Sequence, residues 1–343
     1  MKIIIDAAGG DHAPLEVLKG AAEAAKEYGA QIALVGNEAE IRKASEKNGV
    51  PLTGLEIIHA DRGFPMEADP TSVIKENIVT SMGVGLKKLA DGECDAFVSA
   101  GSTGALLAGA TFLVKRVKGV KRPVIGTTVP NGIGRYYFLV DSGANSECRP
   151  EMLMQFAVMG EVYASRIMGI ESPRIGLVNI GSEDTKGTQL QLDAFALLKK
   201  SGLRFVGNVE ARELPLGGCD VAVCDGFTGN VILKLSEGMA LFFIKELKRM
   251  FLSGAGTKVA AMLMKGQLSE FKKACAYKEL GGAPILGVQK PVIKAHGSSD
   301  AKAFKNAIRQ AVVCCEKDII GEIARGVAEQ KAGAAEKGRP PRK

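Results

Sequence analysis

The feature of this sequence that most constrains its fold is the alternation of short apolar runs with longer segments of helical periodicity. The runs are rich in Val and Ile and show little polar–apolar alternation, which is typical of strands in a mostly parallel sheet covered by helices on both faces. We therefore predict an α/β fold with a doubly wound, mostly parallel sheet. The predicted strands are Lys2–Ile5, Ile32–Val35, Leu55–His59, Ala96–Ser99, Val124–Val129, Phe138–Asp141, Ile175–Asn179, Arg204–Gly207, Val221–Cys224 and Val292–Lys294.

Two segments depart from this alternation. The basic, Met-rich stretch 252–278 follows a long predicted helix, which suggests a helical hairpin, about 231–278, that projects from a single catalytic domain of residues 1–330. Residues 331–343 contain Gly338 and a Pro pair and lack apolar periodicity, so we expect a disordered basic tail. The predicted helices are Leu15–Tyr28, Glu38–Lys47, Ser72–Leu89, Gly104–Val117, Glu151–Met168, Gln189–Lys200, Val231–Phe251 and Ala301–Ala328.

The charge is unevenly distributed over the 343 residues. The formal net charge of +7 divides into +4 for residues 331–343, +6 for residues 245–278 and −3 for the remainder. Trp is absent and aromatic residues make up 5% of the chain, too few for the stacking platforms that bind single-stranded nucleic acid. We therefore expect no nucleic-acid partner, and we interpret the 245–278 segment as a surface for an anionic partner.

The cysteines and the N-terminus indicate a reduced, cytoplasmic setting. The seven cysteines form no C-x-x-C pair, and with three histidines there is no zinc-ligand spacing. The chain begins with a strand followed by an acid, which is unlike a signal peptide, and no run of 18 apolar residues predicts a membrane span. We expect reduced thiols, no metal site and no cofactor.

Five predicted strands end in loops of similar composition. Each loop combines glycines, which allow close backbone approach, with side chains that donate hydrogen bonds. The loops are residues 6–12, 100–105, 181–187, 225–230 and 295–300. Ligands of open α/β sheets bind where strands end and helices begin, so together the loops predict a polar anion-binding crevice. For any one loop, a turn ending in a helix N-cap is the simpler alternative.

Motifs for several other chemistries are absent. The sequence contains no G-x-G-x-x-G dinucleotide fingerprint, no G-x-x-x-x-G-K-[ST] phosphate loop and no G-x-S-x-G nucleophile elbow. His12 and His296 lie in the loops and are better candidates for chemistry than His59, which ends a strand. For Lys186, an ion pair with Glu183 or Asp184 is the structural alternative.

At these loops the sequence resembles the bacterial phosphate acyltransferase of phospholipid synthesis, the acyl-ACP:phosphate transacylase. The resemblance covers roughly residues 1–328 in order; Ala8 stands where the family usually has Met, and Ser142 where it often has Val. The tail from Ala332 has no recognised counterpart. The matching runs are D-A-A-G-G-D-H-A-P (6–14), S-A-G-S-T-G-A-L (99–106), D-S-G-A-N (141–145), N-I-G-S-E-D-T-K-G (179–187), F-V-G-N-V-E-A-R (205–212), D-G-F-T-G-N-V (225–231) and K-A-H-G-S-S-D (294–300).

The resemblance implies transfer of a fatty acyl group from acyl carrier protein (ACP) to inorganic phosphate. The acyl phosphate formed would then serve a membrane acyltransferase that acylates glycerol 3-phosphate. It also implies a homodimer with a sheet domain like that of phosphate acetyltransferases, and peripheral attachment to an anionic membrane. Because orthophosphate is itself a nucleophile, the site needs no covalent intermediate and must hold two anions and polarise a thioester.

For that reaction, Lys186 is the predicted phosphate-binding and charge-stabilising residue, supported by Ser182 and Thr185. His296 is predicted to protonate the leaving thiolate or orient phosphate, and Asn230 to hydrogen-bond the thioester carbonyl. Backbone amides of the loops are predicted to bind phosphate or the oxyanion. The other residues assigned to phosphate or substrate binding are Gly9, Gly10, Asp11, His12, Gly101, Ser102, Thr103, Gly104, Asn145, Asp225, Thr228, Gly229, Lys294 and Ser298.

The hairpin has two interpretations at this point. Its apolar and basic residues either contact a membrane interface or the acidic carrier protein, or the apolar face packs on a second copy of the chain. Two other functions stay open: a phosphate acetyl- or butyryltransferase that uses acyl-CoA, and a non-catalytic membrane-associated binding module. The residues assigned to the membrane or carrier-protein surface are Lys258, Val259, Met262, Leu263, Lys265, Phe271, Lys272 and Lys273.

Overall fold

Eleven β-strands form one continuous sheet in the computed structural model of the chain, which describes residues 1–132, 134–274 and 281–337. Their order across the sheet is β3-β2-β1-β4-β11-β10-β5-β6-β9-β7-β8. The strands are β1 (Lys2–Asp6), β2 (Gln31–Gly36), β3 (Leu55–His59), β4 (Ala96–Ser99), β5 (Val124–Pro130), β6 (Tyr136–Val140), β7 (Ile175–Asn179), β8 (Phe205–Glu210), β9 (Val221–Val223), β10 (Ala283–Leu286) and β11 (Val292–Lys294).

The sheet consists of two parallel blocks that run in opposite directions. Strand β10 is antiparallel to β11 and β5, and β5 is antiparallel to β6, whereas the other neighbouring pairs are parallel. The block β3-β2-β1-β4-β11 is therefore reversed relative to β6-β9-β7-β8. The mostly parallel sheet predicted from the sequence is confirmed. Strand β10 was not predicted, because Pro284 and the two preceding glycines obscure its apolar pattern.

Helices cover both faces of the sheet, as the doubly wound prediction requires. Along β1, Ile3 and Ile5 join the core cluster that contains α1, α5 and α10, while Ile4 joins the opposite cluster with α3 and α4. Alternate residues of one strand are therefore buried on opposite faces. The helices are α1 (Leu15–Glu27), α2 (Glu38–Asn48), α3 (Ser81–Ala90), α4 (Thr103–Gly109), α5 (Pro150–Arg166), α6 (Gln189–Lys199), α7 (Gly226–Leu252), α8 (Ala255–Leu263), α9 (Lys265–Ala274), α10 (Ala301–Glu316) and α11 (Ile319–Lys337).

Three predicted helices differ from the sequence pattern. The predicted helix Ala301–Ala328 is divided into α10 and α11 at Asp318, which adopts φ 46°. The predicted helix Ser72–Leu89 is a 3₁₀ turn, Pro70–Ile74, followed by α3, because the Thr80 side chain accepts a hydrogen bond from the backbone of Gly83 and starts a new helix there. The predicted helix Gly104–Val117 is α4 with a π-helical turn, Ala110–Val114, which ends where Lys115 adopts φ 72°.

The prediction of a disordered tail from residue 331 is wrong for residues 331–337. Helix α11 continues to Lys337, since this stretch is rich in Ala, Glu and Lys, which are strong helix formers. The rest of the predicted tail, residues 338–343, lies outside the described residues.

Helices α7, α8 and α9 form the predicted hairpin. Only the first turn of α7 is buried, at Gly226 and Gly229, and α8 has no buried residue. By length and composition alone, α7 could cross a membrane, with 6% of its most apolar window buried. Its N-terminus, however, is held inside the sheet domain. Residues 275–278 of the predicted hairpin lie outside the described residues, as do the side chains of Lys272 and Lys273.

Candidate active site

A cavity of about 440 Å³ lies where the two opposed blocks of the sheet meet. Strand β11 contributes its carboxyl end, β5 its middle and β6 the loop that follows it, while α7 forms one wall. A cavity between carboxyl ends of strands is the expected position for a ligand in an α/β sheet. It is lined by Thr103, Ile125, Thr127, Thr128, Ser142, Gly143, Asn230, Leu233, Lys234, Glu237, Gly281, Gly282, Ala283, Lys294, Ala295, His296 and Gly297.

Asp6, at the end of β1, organises the floor beneath this cavity. Its carboxylate accepts hydrogen bonds from Ser81 Oγ at 2.6 Å and Ser99 Oγ at 2.7 Å. Ser99 Oγ in turn accepts the backbone N–H of Gly101 at 3.0 Å. Burial raises the pKa of Asp6, and the two serine hydroxyls, the Ala8 amide and the charge of Lys294 act against that rise.

Lys294 is the cation most closely integrated into the cavity wall. It is paired with Ser99 across β11 and β4, and its Nζ donates hydrogen bonds to the carbonyl oxygens of Ala100, at 3.2 Å, and Ala295. Burial lowers its pKa to about 8, although the negative charges of Asp6 and Asp11 favour the protonated form. At neutral pH the side chain is therefore mostly a partly desolvated ammonium in the lining of the cavity.

His296 and Asn230 approach the same cavity from opposite blocks. The Ser298 backbone N–H donates to His296 Nδ1 at 3.2 Å, and Ser298 Oγ lies 3.0 Å from the same atom. An Nδ1 that accepts a backbone proton leaves the neutral ring with its proton on Nε2. Asn230 lies on the second turn of α7 and packs over Gly143, whose added Cβ would be 3.7 Å from Asn230 Cγ.

The start of α7 is fixed by a buried carboxylate. Asp141 accepts hydrogen bonds from the backbone amides of residues 143, 144 and 145 at 3.0, 2.9 and 2.7 Å, and from Asn145 Nδ2 at 2.8 Å. Burial raises the Asp141 pKa, and these hydrogen bonds oppose the rise. Gly229 packs directly on the Asp141 carbonyl, where a Cβ would lie 1.9 Å from the oxygen. Only glycine permits α7 to approach this loop so closely.

Several polar groups that were predicted to bind substrate are used by the fold itself. The N–H of Gly101 donates to Ser99 Oγ, that of Gly226 to the Asn145 carbonyl, and that of Gly229 to the Asp225 carbonyl. Asp225 caps α7 by accepting both the N–H and the hydroxyl of Thr228, and the Ser102 side chain caps α4. At these loops the helix-capping alternative therefore describes the observed contacts.

Lys186 lies on the loop after β7, outside the lining of the cavity. The side chain is about half exposed, and its Nζ is 4.0 Å from Glu183 Oε1, as the ion-pair alternative anticipated, while Asp184 pairs with Lys199. Strand β7 is adjacent to β9 with Leu177 opposite Val223. This register places the Lys186 loop at the same sheet edge as the first turns of α7.

The remaining predicted residues fall into three groups: some pack the loops together, one lines the cavity, and the others are exposed outside its lining. Gly9 packs on the Gly101 backbone and Gly10 on the Gly297 carbonyl, and Asp11 N–H donates to that carbonyl at 2.8 Å. Thr103 lines the cavity, whereas Gly104, His12, Ser182 and Thr185 are exposed outside its lining.

Sequence reasoning missed part of the lining. Thr127 Oγ1 lies 2.8 Å from Ser142 Oγ, which donates to the Ile125 carbonyl, and Lys234 pairs with Glu237 at 3.0 Å. Lys234 and Glu237 follow Asn230 at helical spacing, which was the available signal. Within the described residues, no group of three or more His, Cys, Asp and Glu is placed to hold a metal ion.

Comparison with known proteins identifies the family. A family model described as "Fatty acid synthesis protein" matches residues 1–321. A phosphate acyltransferase of Alkaliphilus oremlandii is 46% identical over 328 residues, covering 96% of this chain and 98% of that protein. One of Desulforamulus reducens is 45% identical over 336 residues, covering 96% and 98%.

Solved structures support the fold. A phosphotransacetylase from Streptococcus pyogenes superposes with a TM-score of 0.58 at 17% identity, covering 96% of this chain and 94% of that one. EutD phosphotransacetylase from Staphylococcus aureus gives a TM-score of 0.57 at 16% identity, covering 95% and 94%. The fold is thus that of the phosphotransacetylases, and the predicted family is confirmed. The chain belongs to the phosphate acyltransferase family of fatty acid and phospholipid synthesis and is an acyltransferase.

Proposed function

We propose that this enzyme transfers a fatty acyl group from acyl-ACP to inorganic phosphate within the cavity between the two blocks. The observation that carries the proposal is the presence of Lys294, His296 and Asn230 in one cavity of a phosphate acyltransferase family member. A cation, an imidazole N–H and an amide supply the donors that a phosphate dianion and a thioester oxyanion need. The hydroxyl of Thr103 adds a neutral donor to the lining of the same cavity.

The reaction requires one bond to form and one to break. A phosphate oxygen attacks the thioester carbonyl carbon, a tetrahedral oxyanion forms, and its collapse breaks the C–S bond. In our proposal Lys294 holds the phosphate, Asn230 Nδ2 donates to the oxyanion, and His296 Nε2–H donates a hydrogen bond to the leaving sulfur. The proton that converts the thiolate into the free thiol comes from the attacking hydrogenphosphate. No covalent acyl-enzyme is involved, because phosphate is itself the nucleophile.

Lys186 is proposed as a second cation for the phosphate, supported by Ser182 and Thr185. Its weak 4.0 Å pairing with Glu183 and its position at the edge shared with α7 leave the side chain able to extend towards bound substrate. We expect Lys186→Ala to lower kcat/KM for phosphate about 10²-fold, the usual effect of removing one charge-stabilising donor. Steady-state kinetics with phosphate varied would measure it, with Lys199→Ala as an exposed-lysine control. Unchanged kinetics in Lys186→Ala would remove Lys186 from the mechanism.

The donor is proposed to be ACP and not coenzyme A. The phosphotransacetylases share the fold at 17% identity or less, so they define no donor for this chain. Measuring kcat/KM with palmitoyl-ACP and palmitoyl-CoA, and trapping acyl phosphate with hydroxylamine, tests the assignment. We expect ACP to be preferred by at least tenfold; preference for the CoA ester would favour an acyl-CoA-dependent phosphotransacylase. Absence of acyl phosphate from either donor would favour a non-catalytic module.

We propose that the enzyme is a cytoplasmic homodimer and that the hairpin attaches it peripherally to an anionic membrane. There a membrane glycerol-3-phosphate acyltransferase would receive the acyl phosphate. Large apolar side chains are exposed along α7 and α8, and Lys258 and Lys265 lie beside them. An apolar surface bordered by cations is suited to an anionic lipid interface, and an apolar helix face to a second copy of the chain.

We expect Leu263→Glu to abolish flotation with anionic liposomes, because it places a charge at a side chain that is 81% exposed on α8. Leu216→Glu, at a leucine that is 72% exposed outside the hairpin, is the matched control and should float like the wild type. Light scattering would report the dimer in parallel. Normal flotation with loss of the dimer would assign Leu263 to the subunit contact instead.

A further inference from the structure

The loop between α4 and β5 carries an exposed basic surface that the proposed reaction does not use. Residues 115–122 read K-R-V-K-G-V-K-R and contain five cations and no acid. The side chains of Val117 and Val120 point inward and are buried, while the cations are exposed. With the neighbouring Arg149, the basic surface consists of Lys115, Arg116, Lys118, Lys121, Arg122 and Arg149.

A buried glutamine holds this loop in one conformation. Gln155, on α5, is 3% exposed; its Oε1 accepts the Lys121 N–H at 2.8 Å, and its Nε2 donates to the Gly119 carbonyl at 2.9 Å. The Val117 N–H donates to the Gly287 carbonyl at 3.0 Å. The basic surface is therefore preorganised, which reduces the entropy lost when a partner binds.

The surface is close to the active-site cavity. Lys121, Arg122 and Arg149 line a surface depression with Glu147, and Gly143 of the same loop lines the cavity. Glu147 is the fourth residue after Gly143, so the backbone path between the depression and the cavity is at most about 14 Å. Asn145 Nδ2 also donates to the Pro123 carbonyl at 2.8 Å, which ties the basic loop to that path.

The charge of this surface is only partly neutralised by the protein. Among the described residues, Lys121 pairs with Glu151 at 3.4 Å, whereas Lys118, Arg122 and Arg149 form no ion pair. Counting Glu147 and Glu151 with the six cations leaves a net charge of +4. Residues 115–122 expose no large apolar side chain, although Phe112 in the preceding π-helical turn is 59% exposed. The basic stretch itself therefore differs from the hairpin, where large apolar side chains are exposed along α7 and α8.

We propose that this basic surface is the docking site for the acidic carrier protein that delivers the acyl thioester. The inference rests on the proposed function and extends it, by placing the protein part of the donor on residues 115–122 and Arg149 while its prosthetic arm reaches into the cavity. Complementary charge steers such a complex and fixes its orientation. The hairpin is then free for membrane or subunit contact.

The test compares two charge-reversed double variants. Lys118→Glu/Arg122→Glu changes the basic surface, and Lys43→Glu/Lys47→Glu changes two exposed lysines of α2 at the far edge of the sheet. Binding of holo-ACP is measured by fluorescence anisotropy at low and high salt, and turnover is measured with palmitoyl-ACP and with palmitoyl-pantetheine, a donor that lacks the carrier protein. Turnover of the small donor reports whether each variant is folded.

We expect the surface variant to weaken holo-ACP binding and raise KM for palmitoyl-ACP by about tenfold or more at low salt, with turnover of palmitoyl-pantetheine unchanged. The α2 variant should match the wild type. Wild-type affinity in the surface variant, or an equal loss in Lys258→Glu, would overturn the inference. A wild-type enzyme that binds holo-ACP through this surface but forms no acyl phosphate would instead contradict the proposed function.

Discussion

Lys294→Met is expected to lower kcat/KM for phosphate by 10²- to 10³-fold. The lysine supplies a partly desolvated charge on the cavity wall, and removing one such donor from an active site typically has an effect of this size. Methionine has a similar length and apolar bulk, so it should occupy the space of the Lys294 side chain and leave the shape of the cavity unchanged. The measurement is steady-state kinetics with phosphate varied at saturating palmitoyl-ACP.

The pH dependence of kcat/KM for phosphate in the wild type should report the protonation state of Lys294. Burial lowers the Lys294 pKa to about 8, so the ammonium is present below that pH and is lost as pH rises through it. We expect kcat/KM for phosphate to fall above about pH 8. In Lys294→Arg this alkaline decrease should disappear, because a guanidinium stays protonated over the whole range.

A second lysine provides the matched control. Lys290 precedes the same strand, and its Nζ donates to the Cys94 carbonyl at 3.0 Å, away from the cavity. Lys290→Met should therefore retain normal phosphate kinetics. If Lys294→Met keeps wild-type kcat/KM, or if its pH profile is identical to that of the wild type, Lys294 does not bind the phosphate.

Gly229→Ala is expected to destabilise the protein and to reduce turnover at least 10²-fold. The new Cβ would lie 1.9 Å from the Asp141 carbonyl oxygen and 2.9 Å from its carbonyl carbon. Because both contacts are to backbone, α7 must shift, and Asn230 shifts with it. We expect the free energy of unfolding to fall by about 3 kcal/mol, as in other overpacked sites. Urea denaturation and turnover of palmitoyl-ACP measure the two effects.

The same helix offers a glycine without this contact. Gly238 has no atom within 4 Å of an added Cβ. Gly238→Ala should raise stability slightly or leave it unchanged, since alanine is favoured over glycine in a helix by up to about 1 kcal/mol. Equal stability and turnover in Gly229→Ala and Gly238→Ala would show that the start of α7 is not held against the Asp141 loop.

The fold was largely predictable because its strands are buried on both faces. Strands such as Ala96–Ser99 and Ile175–Asn179 are mostly buried and have the predicted bounds, since a short apolar run between two turns has few alternatives. The lack of polar–apolar alternation indicates a mostly parallel sheet, but it does not identify which neighbouring strands are antiparallel. The reversal at β10 and β5, which makes the two blocks face each other, could not be inferred from it. Apolar spacing also failed to predict the start of α3. The predicted helix Ser72–Leu89 has helical spacing throughout, but the Thr80 cap starts a separate helix within it.

The site was predictable as a set of loops and less so as individual contacts. Asn230, Lys294 and His296 were assigned from their loops, and all three line the cavity. Gly101, Asp225 and Thr228 were assigned on the same grounds, yet their polar groups complete helix caps and turns. Glycine and hydroxyl residues serve both purposes. Thr127 and Ser142 meet only when β5 and β6 pair, so local sequence did not reveal them.

Direct attack by phosphate is tested most directly by a single-turnover experiment with enzyme in excess over palmitoyl-ACP, with and without phosphate. Free ACP thiol is followed by a thiol-reactive dye, and acyl phosphate is trapped as the hydroxamate. If phosphate attacks the thioester directly, thiol and acyl phosphate form together, in equal amounts, only when phosphate is present. A burst of ACP thiol without phosphate would show a covalent acyl-enzyme and contradict direct attack by phosphate in this cavity.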